Sequence, residues 1–114
     1  GIIEEGETPE DVARREAVEE AGCMVTDLIP MPRYLVSPGG ATESVSLFLG
    51  RVDASQAGGI HGLEQEHEDI RVFTATSAQL RALLDSGKVE NAATVLAIQW
   101  YFLNKDRVAA AWSK

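Results

Sequence analysis

Gly1-Ile2-Ile3-Glu4-Glu5-Gly6-Glu7-Thr8-Pro9-Glu10-Asp11-Val12-Ala13-Arg14-Arg15-Glu16-Ala17-Val18-Glu19-Glu20-Ala21-Gly22-Cys23 opens the chain and holds a complete helix signature. Thr8 is a suitable N-cap, Pro9 suits the first helical position, and Asp11 stands where a capping-box acid would. The spacing of Val12, Ala13, Ala17 and Ala21 predicts a helix from Pro9 to Ala21, and Gly22 supplies the left-handed stop. On that helix Glu16, Glu19 and Glu20 stand at i, i+3 and i+4 and share a face. Such like-charge pairs cost roughly 0.2–0.5 kcal/mol each. The patch is explained by a positive neighbour, with Arg15 adjacent, or by a hard divalent cation, which prefers carboxylate oxygens. A plain solvated acidic face explains the helix alone equally well.

The rest of the chain sets the frame. It has 114 residues, with 18 acidic and 10 basic side chains, a formal charge of −8, and 45% apolar residues. That length predicts one domain. The negative charge excludes a sequence-independent nucleic-acid binder, which needs a basic surface to release counterions. Twelve of the 18 acids fall in Gly1–Glu20 and Glu64–Asp69, so those two segments are where function is sought. The single cysteine, Cys23, forms no intramolecular disulfide and fits a reducing cytoplasm. No apolar run approaches the ~20 residues that cross a bilayer, and no membrane partner is expected. The chain begins at Gly1 with its motif already under way, and reads as the C-terminal piece of a longer protein.

Downstream, Met24–Ile29 and Pro32–Ser37 read as short extended segments, kept from a regular central ladder by Pro30 and Pro32. Ser37-Pro38-Gly39-Gly40 reads as a loop. Ser44–Val52 reads as a strand, Asp53–Glu68 as a long polar loop, and Ile70–Ala75 as another strand. Ser77–Ser86 is predicted helical with Leu80, Leu83 and Leu84 inward. Asn91 is expected to cap a last helix through Asn104 with Ala93, Leu96, Ala97, Trp100 and Leu103 on one face, and a short helical tail is expected at Val108–Trp112. Helix, strands, helix, helix implies an α+β or mixed α/β fold.

The spacing in the opening stretch resembles the Nudix box, G-x5-E-x7-R-E-U-x-E-E-x-G-U, at every specified position: Gly1, Glu7, Arg15, Glu16, Glu19, Glu20 and Gly22, with Ala17 and Cys23 in the apolar U slots. At average composition a given window matches by chance less than about once in 10⁸. The resemblance implies a loop–helix–loop that binds Mg²⁺ or Mn²⁺ and hydrolyses a nucleoside diphosphate linked to another moiety. By resemblance Glu16 and Glu20 are metal ligands, Glu19 a ligand or water-positioning group, Arg15 an orienting group and Glu7 a brace. Gly1 and Gly22 serve as backbone positions. The implied fold is an α/β/α sandwich with a mixed sheet whose first strands precede Gly1.

The second acidic cluster reads as a solvated loop on its own. If Glu68 begins extended structure, Glu66 and Glu68 would point differently, one toward metal and the other toward water. Beyond the box, Ser37–Gly40, Gly59–Leu63, Glu66–Val72 and Asn91–Ala93 resemble bacterial ADP-ribose pyrophosphatases of the Nudix superfamily. That resemblance makes Glu66 the general base and Glu68 a metal ligand. It places Glu43 near the terminal ribose and Pro38 at the position that marks ADP-ribose-type members, and makes Glu43, Pro38 and Gly39 the expected substrate-binding residues. It also implies a homodimer whose N-terminal dimerisation domain is not in this sequence, and weak activity for the 114 residues alone. The expected substrate is a small nucleoside diphosphate sugar, cleaved to AMP and ribose 5-phosphate. Other ADP- or GDP-sugars, a noncatalytic Nudix-fold module and a plain acidic surface protein are the competing readings. His61 and His67 read as exposed loop residues, and Cys23 as apolar filler. Trp100, Tyr101 and Phe102 read as helix packing, and Arg33 and Arg51 as strand-edge residues.

Overall fold

Helix α1, Pro9–Ala21, forms where its end signals place it. The Thr8 hydroxyl accepts from the Asp11 N–H (3.1 Å), and the Asp11 carboxylate accepts from the Thr8 N–H (3.3 Å). This closes a capping box with Pro9 in the first turn. At the other end Gly22 takes φ 64° and ψ 21°, the left-handed conformation that lets the chain turn away. The computed structural model describes residues 1–37, 39–40, 43–53, 55, 59–61 and 70–113, with backbone alone for 59–61, 70 and 71.

Among the described residues six short strands follow the first helix: β1 (Asp27–Pro30), β2 (Tyr34–Leu35), β3 (Ser44–Val45), β4 (Phe48–Arg51), β5 (Gly59–His61) and β6 (Ile70–Val72). Among the described residues they form three two-stranded ladders, β1 with β4, β2 with β3 and β5 with β6. The single strand expected over Ser44–Val52 is thus two strands, because its halves take different partners. β2 and β3 pair antiparallel with Tyr34 opposite Val45. β5, which lies inside the stretch expected to be loop, pairs antiparallel with β6, His61 opposite Ile70. Three helices complete the chain: α2 (Ser77–Asp85), α3 (Ala92–Leu103) and α4 (Lys105–Ala111). The mixed α+β class follows.

The chain divides into two compact units, Gly1–Leu28 with Gly50–Thr74, and Ile29–Leu49 with Ala75–Lys114. In the first, α1 lies against β5 and β6, and Val12 and Cys23 are buried. In the second, α2 packs on α3 and α3 on α4, around Ile29, Met31, Ile98 and Val108. Leu80, Leu83 and Leu84 are half-buried, as expected. Of the residues expected to share one face of α3, Ala93, Ala97 and Trp100 are half-buried while Leu96 and Leu103 are 42% and 85% exposed, and the buried residue of the helix is Ile98. α3 is apolar nearly all round, so spacing could not choose which stripe turns inward. Tyr101 anchors the packing through its hydroxyl, 3.2 Å from Ser77 Oγ, and sets an edge-on ring contact with Phe102 at 5.3 Å.

Candidate functional site

Helix α1 turns Val12, Ala13, Glu16, Ala17, Glu19 and Glu20 toward partly or fully buried surroundings, and leaves Glu10, Asp11, Arg14 and Val18 exposed. The three glutamates therefore lie on the inward half of the helix, where water screens them less than on a free surface. Two of them, Glu19 and Glu20, sit in the last turn, at the negative end of the helix dipole, and the last turn holds no basic residue. Carboxylates there are disfavoured by a few tenths of a kcal/mol or more each. Mutual repulsion and the dipole both push against this cluster, so an added cation stabilises it.

Glu7 and Arg15 organise the approach to that face. Arg15 Nη1 donates to Glu7 Oε2 at 2.7 Å, and its Nη2 lies 3.7 Å from Glu16 Oε1. The other Glu7 oxygen accepts the Glu4 N–H at 3.1 Å, while the Glu7 N–H donates to the Glu4 carbonyl. One carboxylate thus closes the turn before the helix and holds the guanidinium beside Glu16. Desolvation, the largest single influence, acts to lower the Arg15 pKa. The charges of Glu7, Glu16 and Glu19 and the Glu7 hydrogen bond outweigh it and raise the pKa above the ordinary arginine value. Arg15 is therefore a fixed cation at any working pH.

Gly1 approaches the same glutamate from the opposite end of the motif. A Cβ built on Gly1 would collide with Glu16 Cγ, Cδ and Oε1. The residue before the turn must therefore lack a side chain if Glu16 is to keep its position. Gly1, Glu7, Arg15 and Glu16 are brought together, and Glu19 lies close enough to Arg15 to act on its charge. Glu20 shares the helix face and has interactions of its own.

Glu66, Glu68 and Pro38, with His67, fall outside the described residues. In sequence, the described residues on either side of Glu66 and Glu68 are His61 of β5 and Ile70 of β6. These positions face each other in a ladder that lies against α1. Gly39 and Glu43 belong to the second unit and are exposed, and the Glu43 carbonyl accepts the Val36 N–H at 3.0 Å. Cys23 is buried with its thiol toward the Ala21 carbonyl, which suits the apolar slot. Arg33 donates to Ser44 Oγ (2.9 Å) and Arg51 pairs with Asp27 (3.9 Å), so both serve strands. Sequence reasoning passed over Arg14, whose Nη1 donates to the Val25 carbonyl at 2.7 Å. The motif leaves that position unspecified and gave no signal.

Among the described residues no three His, Cys, Asp or Glu side chains converge as a ready metal cage. The donor set of Glu16, Glu19 and Glu20 is nevertheless oxygen-only and anionic, which fits a hard divalent cation and not a soft one. A cavity of about 220 Å³ in the second unit, between Met31, Leu47, Leu96 and Trp100, is lined by no carboxylate and is not this site. No described helix is long and apolar enough to cross a membrane.

Residues 1–95 match the NUDIX domain. The chain belongs to that family. This Nudix chain is 49% identical over 113 residues to an ADP-ribose pyrophosphatase of Escherichia coli, a match covering 99% of this chain and 54% of that protein. It is 43% identical over 114 residues to an ADP-ribose pyrophosphatase of Haemophilus influenzae, covering 100% and 52%. A GDP-mannose pyrophosphatase of Citrobacter koseri is 32% identical over 100 residues, covering 88% and 51%. The chain spans about half the length of the curated relatives it matches.

Proposed function

We propose that the protein is a divalent-cation-dependent hydrolase that cleaves ADP-ribose to AMP and ribose 5-phosphate. The observation that carries this reading is likeness to ADP-ribose pyrophosphatases along the whole chain, stronger and longer than the likeness to a GDP-mannose pyrophosphatase. The geometry around Glu16 supports it: an anionic helix face held in place by Arg15, Glu7 and the bare Gly1 backbone.

In this reading Glu16 and Glu20, with Glu68, would hold Mg²⁺, and Mn²⁺ would substitute. Bound divalent cations neutralise the diphosphate, polarise phosphorus and lower the pKa of water. Glu66 takes the proton of the attacking water while a new P–O bond forms and the bridging P–O bond breaks. Glu19 positions that water. Arg15 keeps Glu16 aimed, and Glu7 keeps Arg15 aimed. Pro38, Gly39 and Glu43 meet the ribose end of the substrate. Gly22 ends the helix so that the chain clears the carboxylates. The 114 residues form the catalytic part of a cytoplasmic homodimer. The lone buried cysteine is compatible with a reducing compartment.

The test is turnover by the full-length protein on ADP-ribose, other ADP-sugars and GDP-mannose, with Mg²⁺ and with EDTA. ADP-ribose should be preferred, EDTA should abolish turnover, and Glu20→Gln and Glu66→Gln should each cut it by roughly 10²-fold or more. A preference for GDP-mannose would move the substrate assignment to the second relative, and turnover in EDTA would overturn the metal reading.

A further inference from the structure

The carboxylate face of α1 works only if the helix keeps its roll about its own axis. Glutamate carboxylates ride about 5–6 Å from that axis, so a roll of about 10° carries them roughly 1 Å. Arg15 supplies one tether, to Glu7 on the segment before the helix. Burial of Val12 and packing of α1 against β5 and β6 seat the helix, and Arg15 ties down one side of it.

The structure assigns the second tether to Arg14. Its side chain leaves the exposed side of α1, about 100° around the helix from Arg15 and roughly opposite the glutamates. It donates to the Val25 carbonyl at 2.7 Å. That carbonyl is a firm anchor. The next residue, Thr26, donates both its N–H (2.9 Å) and its hydroxyl (3.2 Å) to the Arg51 carbonyl. The Val25 side chain is wedged against Gly50, where a built Cβ would stand 3.3 Å from Val25 Cγ1. Arg14 thus ties the helix to Val25 in the segment after it, whose neighbour Thr26 is bonded to the last residue of β4, while Arg15 ties it to the turn before the helix. Two tethers at different azimuths, one on each flanking segment, add to that packing in fixing the roll of the helix. Arg14 is a positioning residue for the metal-binding carboxylates, acting through the helix and touching neither metal nor substrate. This rests on the reading of Glu16 and Glu20 as metal ligands.

The experiment compares wild type, Arg14→Ala, Arg14→Lys and Gly50→Ala in the full-length protein. Three quantities are read well below the melting temperature: Mn²⁺ affinity by calorimetry, the Mg²⁺ concentration for half-maximal turnover, and kcat and KM for ADP-ribose at saturating metal. Arg14→Ala should weaken Mn²⁺ binding about tenfold, equivalent to about 1.4 kcal/mol. It should lower kcat while leaving KM at saturating metal within twofold. Arg14→Lys should recover most of the loss, since an ammonium still reaches one carbonyl. Gly50→Ala, which pushes Val25 from the far side, should shift metal affinity the same way by a smaller factor. A purely structural role would lower the melting temperature and leave metal affinity at wild type in the folded protein, and that outcome overturns the proposal. So does an Arg14→Lys variant no better than Arg14→Ala. If wild type binds Mn²⁺ but does not hydrolyse ADP-ribose, the substrate reading fails while the calorimetry still decides the role of Arg14.

Discussion

Replacing Gly1 with Ala separates the two things a motif residue can do, hold the fold or hold the site. The added Cβ would overlap Glu16 Cγ, Cδ and Oε1, whereas ordinary van der Waals contact begins near 3.4 Å. Glu16 must therefore retreat by roughly 1 Å, the scale of misplacement that costs about 10² in rate. The atoms that give way are the outer part of a flexible side chain, so the fold loses only an off-rotamer penalty of about 0.5–1.5 kcal/mol. For a domain near 100 residues that is a melting shift of about 2–12 °C. The expected result is a folded variant whose turnover falls about 100-fold, or about 2.7 kcal/mol in transition-state stabilisation. The assay is steady-state hydrolysis of ADP-ribose by the full-length protein over a Mg²⁺ titration, beside a thermal melt. The defect should ease as Mg²⁺ rises, because a displaced ligand weakens binding first. Turnover within threefold of wild type at every Mg²⁺ concentration, with Glu16→Gln inactive, would show that the Gly1 contact does not hold Glu16 in its working position.

Two further perturbations probe the surroundings of the helix. Glu7→Gln removes a half-exposed charge pair with Arg15, worth roughly 0.5–1 kcal/mol after solvent screening. The melting temperature should drop by about 2–8 °C at low salt and the gap should narrow at high NaCl; equal melting at low salt would refute it. Asp53 is held below the ordinary aspartate range by the Ser55 hydroxyl and then by the Ser55 N–H, against weak desolvation. A lowered folded pKa contributes stability above the ordinary value and loses it as pH falls through the folded value. Asp53→Asn should therefore be less stable than wild type in urea at neutral pH, with the difference gone once both are titrated below the aspartate range. A pH-independent difference would mean that the loop geometry, not the charge, is responsible.

How much could be read from the sequence depended on how local each feature is. The bounds of α1 were legible because its caps lie within three residues of its ends, and Asn91 announced α3 in the same way. α2 carries a second capping box, Thr76 with Gln79, which the spacing spelled out and the reading passed over. Strand partners were not legible. Alternation marks Ser44–Val52 as extended, yet says nothing of a switch from β2 to β1 at Ser46-Leu47. β5 hid in a polar, glycine-rich stretch because three residues are too few to show a period. At the site, the Glu7–Arg15 pair was implied by the motif. The Gly1–Glu16 approach and the Arg14–Val25 tether join residues 15 and 11 positions apart, and only the folded backbone shows them.

Charge placement constrains the order of events at the site. The unit that contains α1 carries 14 acidic and 4 basic residues, a formal −10, while the other unit is +2. Phosphate binding to proteins usually exploits a helix N-terminus, where free N–H groups and the dipole attract anions. Here the first turn of α1 already holds the negative charges of Glu10 and Asp11, Pro9 offers no N–H, and the Thr8 hydroxyl takes the Asp11 N–H, so that end is unfavourable for a diphosphate. The carboxylates at the other end sit where the dipole is negative, and a diphosphate meeting them bare would face repulsion from protein and dipole together. Arg15 cannot offset this, because its charge is engaged by Glu7 and Glu16. On the proposed function, then, cation loading must come before productive substrate binding or accompany it. The apparent KM for ADP-ribose should therefore fall as Mg²⁺ rises, and a KM independent of Mg²⁺ would mean that some other cationic group meets the diphosphate.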